Sequence, residues 1–256
     1  MIASEDKRPD AKPRKNPQLW QAYLIWQESL TTLNRHKTRM ISIERGKSNL
    51  DLEIEKLYLE QSQLQQVTDN FEKMMKSYGK TVGPIWDWMI SIRGIGDGLA
   101  AQVLALIDDI GKFETVSKLW RFSGYAVIDG KREYAKSGET RPWNGKLKST
   151  IYLCSESFLK HQSPIYVPVY YEEKERQRKL HPEPVSNGKG GKKYTDQHIH
   201  LMAMRKMSKL FLSHLWVNWR TFDGLPVTKP YAQDILGHTN YIEPLHTGYI
   251  QATAQM

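Results

Sequence analysis

The stretch SIRGIGDGLAAQVLALIDDIGKF, residues 91–113, sets Gly94, Gly96 and Gly98 at alternate positions ahead of an apolar segment. Glycine at that density lets a backbone turn sharply and lets a ligand or another chain approach closely. A dinucleotide site needs G-x-G-x-x-G between a strand and a helix, with an acidic residue closing the next strand. Here the third glycine comes one position early and no strand follows. A Walker loop needs Gly-Lys-Ser/Thr, which is missing. The pattern that fits is a helix-hairpin-helix, Ile92-Arg93-Gly94-Ile95-Gly96 followed by Leu99, Ala100, Val103 and Leu104. In that motif the N–H groups opening the second helix face a phosphate oxygen. Ile95 fills the space between the helices, and Ala100 and Ala101 let them pack closely. Arg93, Gly94, Ile95, Gly96 and Gly98 are therefore the first candidate DNA-contact residues. Such a contact reads the sugar-phosphate chain rather than the bases, so binding is expected to be salt-sensitive and largely sequence-independent. A hairpin that merely turns the chain would use the same glycines.

A second candidate set lies in DGKREYAKSGETRPWNGKLK, residues 129–148. Lys131, Arg132, Lys136, Arg141, Lys146 and Lys148 are interleaved there with Tyr134 and Trp143, cations and stacking rings together. Ser137, beside Gly138, reads as an ordinary loop serine, with Lys136 and Arg141 near enough to bind a phosphate. His198 and His200, two apart, fall on different faces of a helix, whereas a helical metal pair prefers i, i+4. His181, His214, His238 and His246 are scattered. The single cysteine, Cys154, lies in a helical stretch and reads as a buried inert thiol, leaving no disulfide framework and no cysteine zinc site. No metal and no cofactor is expected.

Several elements must position these residues. The 256-residue chain carries a net charge of +9, which favours a polyanionic partner, and has eight tryptophans and 13 tyrosines. Residues 1–17 read as a disordered basic arm without a signal-peptide core, and no apolar run is long enough to span a membrane. Over 18–80 a heptad runs Leu19, Tyr23, Trp26, Leu30, Leu33, Lys37, Met40. It breaks around Gly46 and Asn49, and resumes at Leu50, Ile54, Leu57, Gln61, Leu64, Phe71, Met74 and Tyr78. That pattern predicts an antiparallel coiled-coil hairpin, or one long helix with a stutter, and a homodimer through residues 18–80. SYGKTVGP, 77–84, reads as a linker. Helices follow at 115–122, at LKSTIYLCSESFLKH, at VYYEEKERQRKLH (a solvated, salt-bridged helix) and at QHIHLMAMRKMSKLFLSHLWVNWRTF. The last has apolar Leu201, Met204, Met207, Leu210, Phe211, Leu215 and Trp216. Residues 221–256 read as an irregular tail. No period-2 strand pattern stands out, so the fold class is all-α.

From Gly94 onward the order of parts resembles a known family. The series is glycine hairpin Gly94–Gly96, helix Leu99–Leu106, Asp109-Ile110 with Phe113, a Leu/Trp-rich helix Lys118–Phe122, and Gly124-Tyr125. A basic loop follows, then Leu147-Lys148 with Tyr152. Over roughly residues 84–220 this resembles the C-terminal domain of the DEDD-type, bridge-RNA-guided insertion-sequence transposases, the IS-one-ten family. The segment at 18–80 is similar to that family's coiled coil. The resemblance implies a DNA partner; the basic loops leave structured RNA as another, and the expected location is cytoplasmic and nucleoid-associated. Family members carry a RuvC-like nuclease module of four metal-binding carboxylates, for which only some 18 residues precede the coiled coil here. They also use a nucleophilic serine just before Gly-Lys-Arg, where this sequence has Asp129, and Ser137 aligns only through a gap. The expectation is therefore a transposase-related protein that holds a DNA backbone without autonomous cleavage. The alternatives are a recombinase component using Ser137 with a separate nuclease subunit, and a structured-RNA-binding module.

Overall fold

The computed structural model describes residues 13–46, 54–128, 131–135, 138, 140–186, 188 and 191–228. Within them the protein is all-α. Its helices are α1 (Pro17–Glu44), α2 (Ile54–Lys80), α3 (Pro84–Ser91), α4 (Asp97–Ile107), α5 (Val116–Phe122), α6 (Gly145–His161), α7 (Tyr166–Leu180) and α8 (Asp196–Phe222). Two short antiparallel ribbons interrupt this order, β1 (Val127–Ile128) with β2 (Lys131–Arg132) and β3 (Val185–Ser186) with β4 (Lys192–Lys193). The sequence pattern predicted no strands. Two residues are too short for alternation to register, although Asp129-Gly130 between β1 and β2 is a tight-hairpin dipeptide.

Local chemistry sets the helix ends. Pro17 and Pro84 occupy the first turns of α1 and α3, where no N–H is needed. Side chains of Thr115, Asn144 and Thr195 accept the N–H of Lys118, Leu147 and His198, capping α5, α6 and α8. Gly124, at φ +75°, closes α5. Its N–H donates to Arg121 O, while the Tyr125 N–H donates to Trp120 O. This paired pattern stops a helix where glycine follows it, and the next residue, buried Tyr125, supplies the apolar contact that goes with it.

α1 and α2 run antiparallel, as contacts of Lys37 with Gln65 and of Glu44 with Tyr58 show. This selects the hairpin over the single stuttered helix. The predicted seam holds in part: Leu19, Tyr23, Trp26, Leu33 and Met40 of α1 are buried, whereas Leu57, Gln61, Leu64, Phe71 and Met74 of α2 are partly buried, Tyr78 is exposed, and Leu50 lies outside the described residues. The α1 residues are buried within one chain, however, so their seam is not available to a second protomer. The expected 77–84 linker is corrected too, because α2 continues through Lys80. A Cβ on its Gly79 would lie 2.4 Å from the Trp86 ring, so glycine there admits the indole of α3. Leu19, Trp26 and Met75 join the same apolar core as α3, α4, α6 and α8. The root of the α1–α2 pair is thus part of the main body.

α8 is the axis of that body. Its Met204, Met207, Phe211, Leu215, Trp216 and Trp219 are fully enclosed, and it packs on α3, α5, α6 and α7. Leu201, expected on the apolar face, is exposed. α7 is more than a solvated charged helix, because Glu173 is buried. Its carboxylate accepts hydrogen bonds from Arg176, Gln177 and Lys206. The basic arm is anchored at its end as well. Asn16 bonds twice to buried Asp108, and Lys15 pairs with Asp223 at 2.6 Å. Among the described residues no helix is long and apolar enough to cross a membrane.

Candidate nucleic-acid interface

The glycine stretch forms the expected turn between two helices. Gly94 sits at φ +104° and the Ile95 N–H donates to Ile92 O, reversing the chain between α3 and α4. Ile95, Ala100 and Ala101 are buried, as close packing of the two helices requires. The three glycines nevertheless do different things. Gly94 is pressed on α6, where the Ser157 hydroxyl donates to its carbonyl at 2.6 Å. A Cβ there would meet Ser157 O at 3.1 Å and the Phe158 ring at 3.2 Å. Gly98 faces α2, where a Cβ would lie 3.3 Å from Glu72 Oε1, with the Lys76 stem just beyond. Only Gly96 looks into open space: nothing lies within 4 Å of a Cβ placed on it. It is the N-cap of α4, and no side chain caps that helix. The expected three-glycine seat therefore narrows to Gly96 and the first turn of α4, with exposed Arg93 beside it. Asp97 lies in that first turn, 3.9 Å from Lys80, and its charge opposes an incoming phosphate.

The basic loop is drawn tight at its root. The Asn144 N–H donates to Phe122 O at 2.8 Å, and the Trp143 indole and Lys148 stem lie directly on Gly124. At φ +75° and with that Cβ position filled, only glycine fits there. Lys148 Nζ stands 4.3 Å from the centre of the Trp143 ring. The Arg141 guanidinium lies over Gly145, 3.3 Å from where a Cβ would be. Lys146 projects from the first turn of α6, and partial burial lowers its pKa. Lys131 and Arg132 form β2, while Lys136 and Ser137 lie outside the described residues.

Sequence reasoning missed the other half of this face. Trp120 on α5 carries Lys209 of α8 over its ring at 3.9 Å, and its indole N–H donates to Lys209 O. Burial, then the neighbouring Arg205, bring the Lys209 ammonium down to about 8. Arg205 donates to Ala126 O at 2.8 Å and lies 5.6 Å over the Tyr125 ring. Burial pushes the Tyr125 phenol up to about 12. Arg121, largely exposed, reaches Glu133 at 3.9 Å. These residues come from helices about 85 positions apart, so no local pattern could pair them. Lysine or arginine over an aromatic ring is attracted by the ring's negative face, and three such pairs here hold half-buried cations.

The two candidate contacts do not form one continuous strip. Lys148 faces Gly124 at the end of α5, while Ser157, nine positions on, touches the hairpin. At about 100° and 1.5 Å per residue these lie on opposite sides of α6, roughly 13 Å apart along it. The exposed ridge between them carries Ser149, Leu153, Glu156 and Lys160. Cys154 is buried and inert, its thiol pushed up by burial. Among the described residues no three His, Cys, Asp or Glu side chains gather as metal ligands would. His198 and His200 diverge: His198 Nδ1 accepts the Tyr194 N–H, and His200 Nδ1 meets the Tyr170 hydroxyl. No family model matches the chain, and no curated protein matches it.

Proposed function

We propose that this protein binds the DNA backbone, with the α5–α6–α8 face as its main contact and the Gly96 end of α4 as a second. The observation that carries this reading is the convergence of Lys148 on Trp143, Lys209 on Trp120 and Arg205 on Tyr125 at the root of one basic loop. Cations held against rings serve phosphates and bases at once. The chain's +9 charge adds long-range attraction to any polyanion. The resemblance to the C-terminal domain of the bridge-RNA-guided transposases points the same way, and under it the chain is a DNA-holding part of a transposition system. A duplex touching both contacts would cross the α6 ridge, which favours a bent or branched DNA over a straight one.

The test is fluorescence anisotropy on a short labelled duplex. Arg121→Gln with Lys148→Gln removes two positive charges beside the loop root, and unchanged helicity by circular dichroism checks that the fold is retained. The pair is expected to weaken binding about ten-fold or more near 0.1 M salt, uniformly across sequences. Unchanged affinity would remove this face from the interface. A structured RNA that displaces the duplex at equimolar concentration would make RNA the better partner.

A further inference from the structure

We propose that Lys209 is an amine nucleophile that captures an abasic deoxyribose of DNA as a Schiff base. The proposal rests on the nucleic-acid reading above and names a substrate class for the same face. Lys209 is half-buried, and its ammonium stands 3.9 Å from the centre of the Trp120 ring. The indole N–H in turn donates to Lys209 O at 3.2 Å, so the packing of α5 on α8 fixes ring and lysine together. Arg205 stands four positions earlier, on the same face of α8, and is held by its bond to Ala126 O. Among the described residues no carboxylate is set against the Lys209 ammonium. Burial acts on it first and the Arg205 charge second, and both favour the neutral amine. With the ammonium brought down to about 8, roughly a quarter of it is free amine near pH 7.5, against about one part in a thousand for an ordinary lysine.

A neutral lysine amine attacks carbonyl carbon. The carbonyl that a DNA strand itself can present is C1′ of a sugar that has lost its base, once the sugar ring opens to the aldehyde. Lys209 Nζ adds to C1′, and one amine proton passes to the carbonyl oxygen. A second proton, from solvent, lets that oxygen leave as water, and the C=N bond of a protonated Schiff base forms. The iminium draws electrons from C2′, whose proton passes to water. The C2′=C3′ bond then forms as the C3′–O bond breaks, releasing the downstream strand with its 5′-phosphate. Water hydrolyses the C=N bond and returns the amine, so the balance needs only amine, sugar and water. The surroundings suit this substrate. The Tyr125 hydroxyl donates to Lys148 O at 3.4 Å while Arg205 lies 5.6 Å over its ring, which brings both cations beside Lys209 for the phosphates flanking the sugar. A missing base also spares the unstacking that an intact nucleotide would demand on the way to the amine.

The experiment uses the full chain, a labelled duplex with one abasic site, and sodium borohydride to reduce any C=N bond to a stable amine. The wild type is expected to give a covalent protein–DNA adduct, and peptide mapping of that adduct should place the sugar on Lys209. The trapping rate should rise with pH and level off just above pH 8, where an exposed lysine would still be climbing. Lys209→Arg keeps a cation on Trp120 and should lower adduct yield ten-fold or more. Its affinity for a duplex carrying the unreactive tetrahydrofuran analogue should stay within about two-fold of wild type. Tight binding of that analogue with no adduct on the abasic duplex overturns the capture and leaves the backbone-binding reading standing. So does an adduct that maps to another lysine or to the N-terminal amine, or a trapping rate that climbs steadily to pH 10. Failure of the wild type to bind any duplex overturns both. Mapping on the wild-type adduct decides the matter even where the arginine variant does not fold.

Discussion

Glu173 shows how much a single side chain can depart from its neighbourhood in sequence. It sits in YYEEKERQRK, where alternating charges predict a solvated helix, yet it is the buried hub joining α7 to α8. Burial alone would raise its pKa. Hydrogen bonds from Arg176, Gln177 and Lys206 outweigh that and hold the carboxyl down, from 4.5 to about 2. A depressed carboxylate contributes stability above its unfolded pKa and loses it as pH falls through the folded one. The wild type is therefore expected to lose stability from about pH 4.5 down to about 2. Glu173→Gln should cost roughly 1–3 kcal/mol at pH 7, less than the full shift implies because Arg176 and Lys206 are half-exposed. The deficit should shrink across that acid window in urea melts, and a deficit that does not change with pH would contradict this assignment.

At the scale of elements, much was legible because it rests on local rules. Helix starts follow from Pro17, Pro84, Thr115, Asn144 and Thr195, and the seam of α1 from its heptad. The glycine turn was legible as a turn, but not the division of labour within it. What separates Gly94 from Gly96 is the presence of α6 behind one and open space around the other, a tertiary fact. This yields a paired prediction. Gly94→Val forces a branched residue to positive φ against Ser157 and Phe158, and should lower the melting temperature by about ten degrees or prevent folding. Gly96→Val should fold near wild-type stability, since its Cβ meets nothing, and weaken DNA binding by a few-fold by crowding the first turn of α4. If Gly96→Val binds as the wild type does, the α4 end is only a turn, and the α5–α6–α8 face acts alone. The face itself was half legible. Trp143 and Lys148 lie close together in the sequence, while Trp120 and Lys209 meet across 89 positions only because α5 packs on α8.

Within the described residues the molecule is a helical body that includes the root of the α1–α2 pair, with the Lys148–Trp143, Lys209–Trp120 and Arg205–Tyr125 pairs near the root of one basic loop. The expected coiled-coil dimer does not follow from the seam, because Leu19, Tyr23, Trp26, Leu33 and Met40 are already enclosed within the chain. Charge, in contrast, is a property of the whole surface and can be read as one number. The slope of log K for a short duplex against log salt reports how many phosphates the protein neutralises. The account predicts a slope of about −4 to −6 for the wild type, indifferent to duplex sequence, with Arg121→Gln/Lys148→Gln shallower by about 2. A slope near zero, or one that the two substitutions leave unchanged, would contradict the claim that this face holds a DNA backbone.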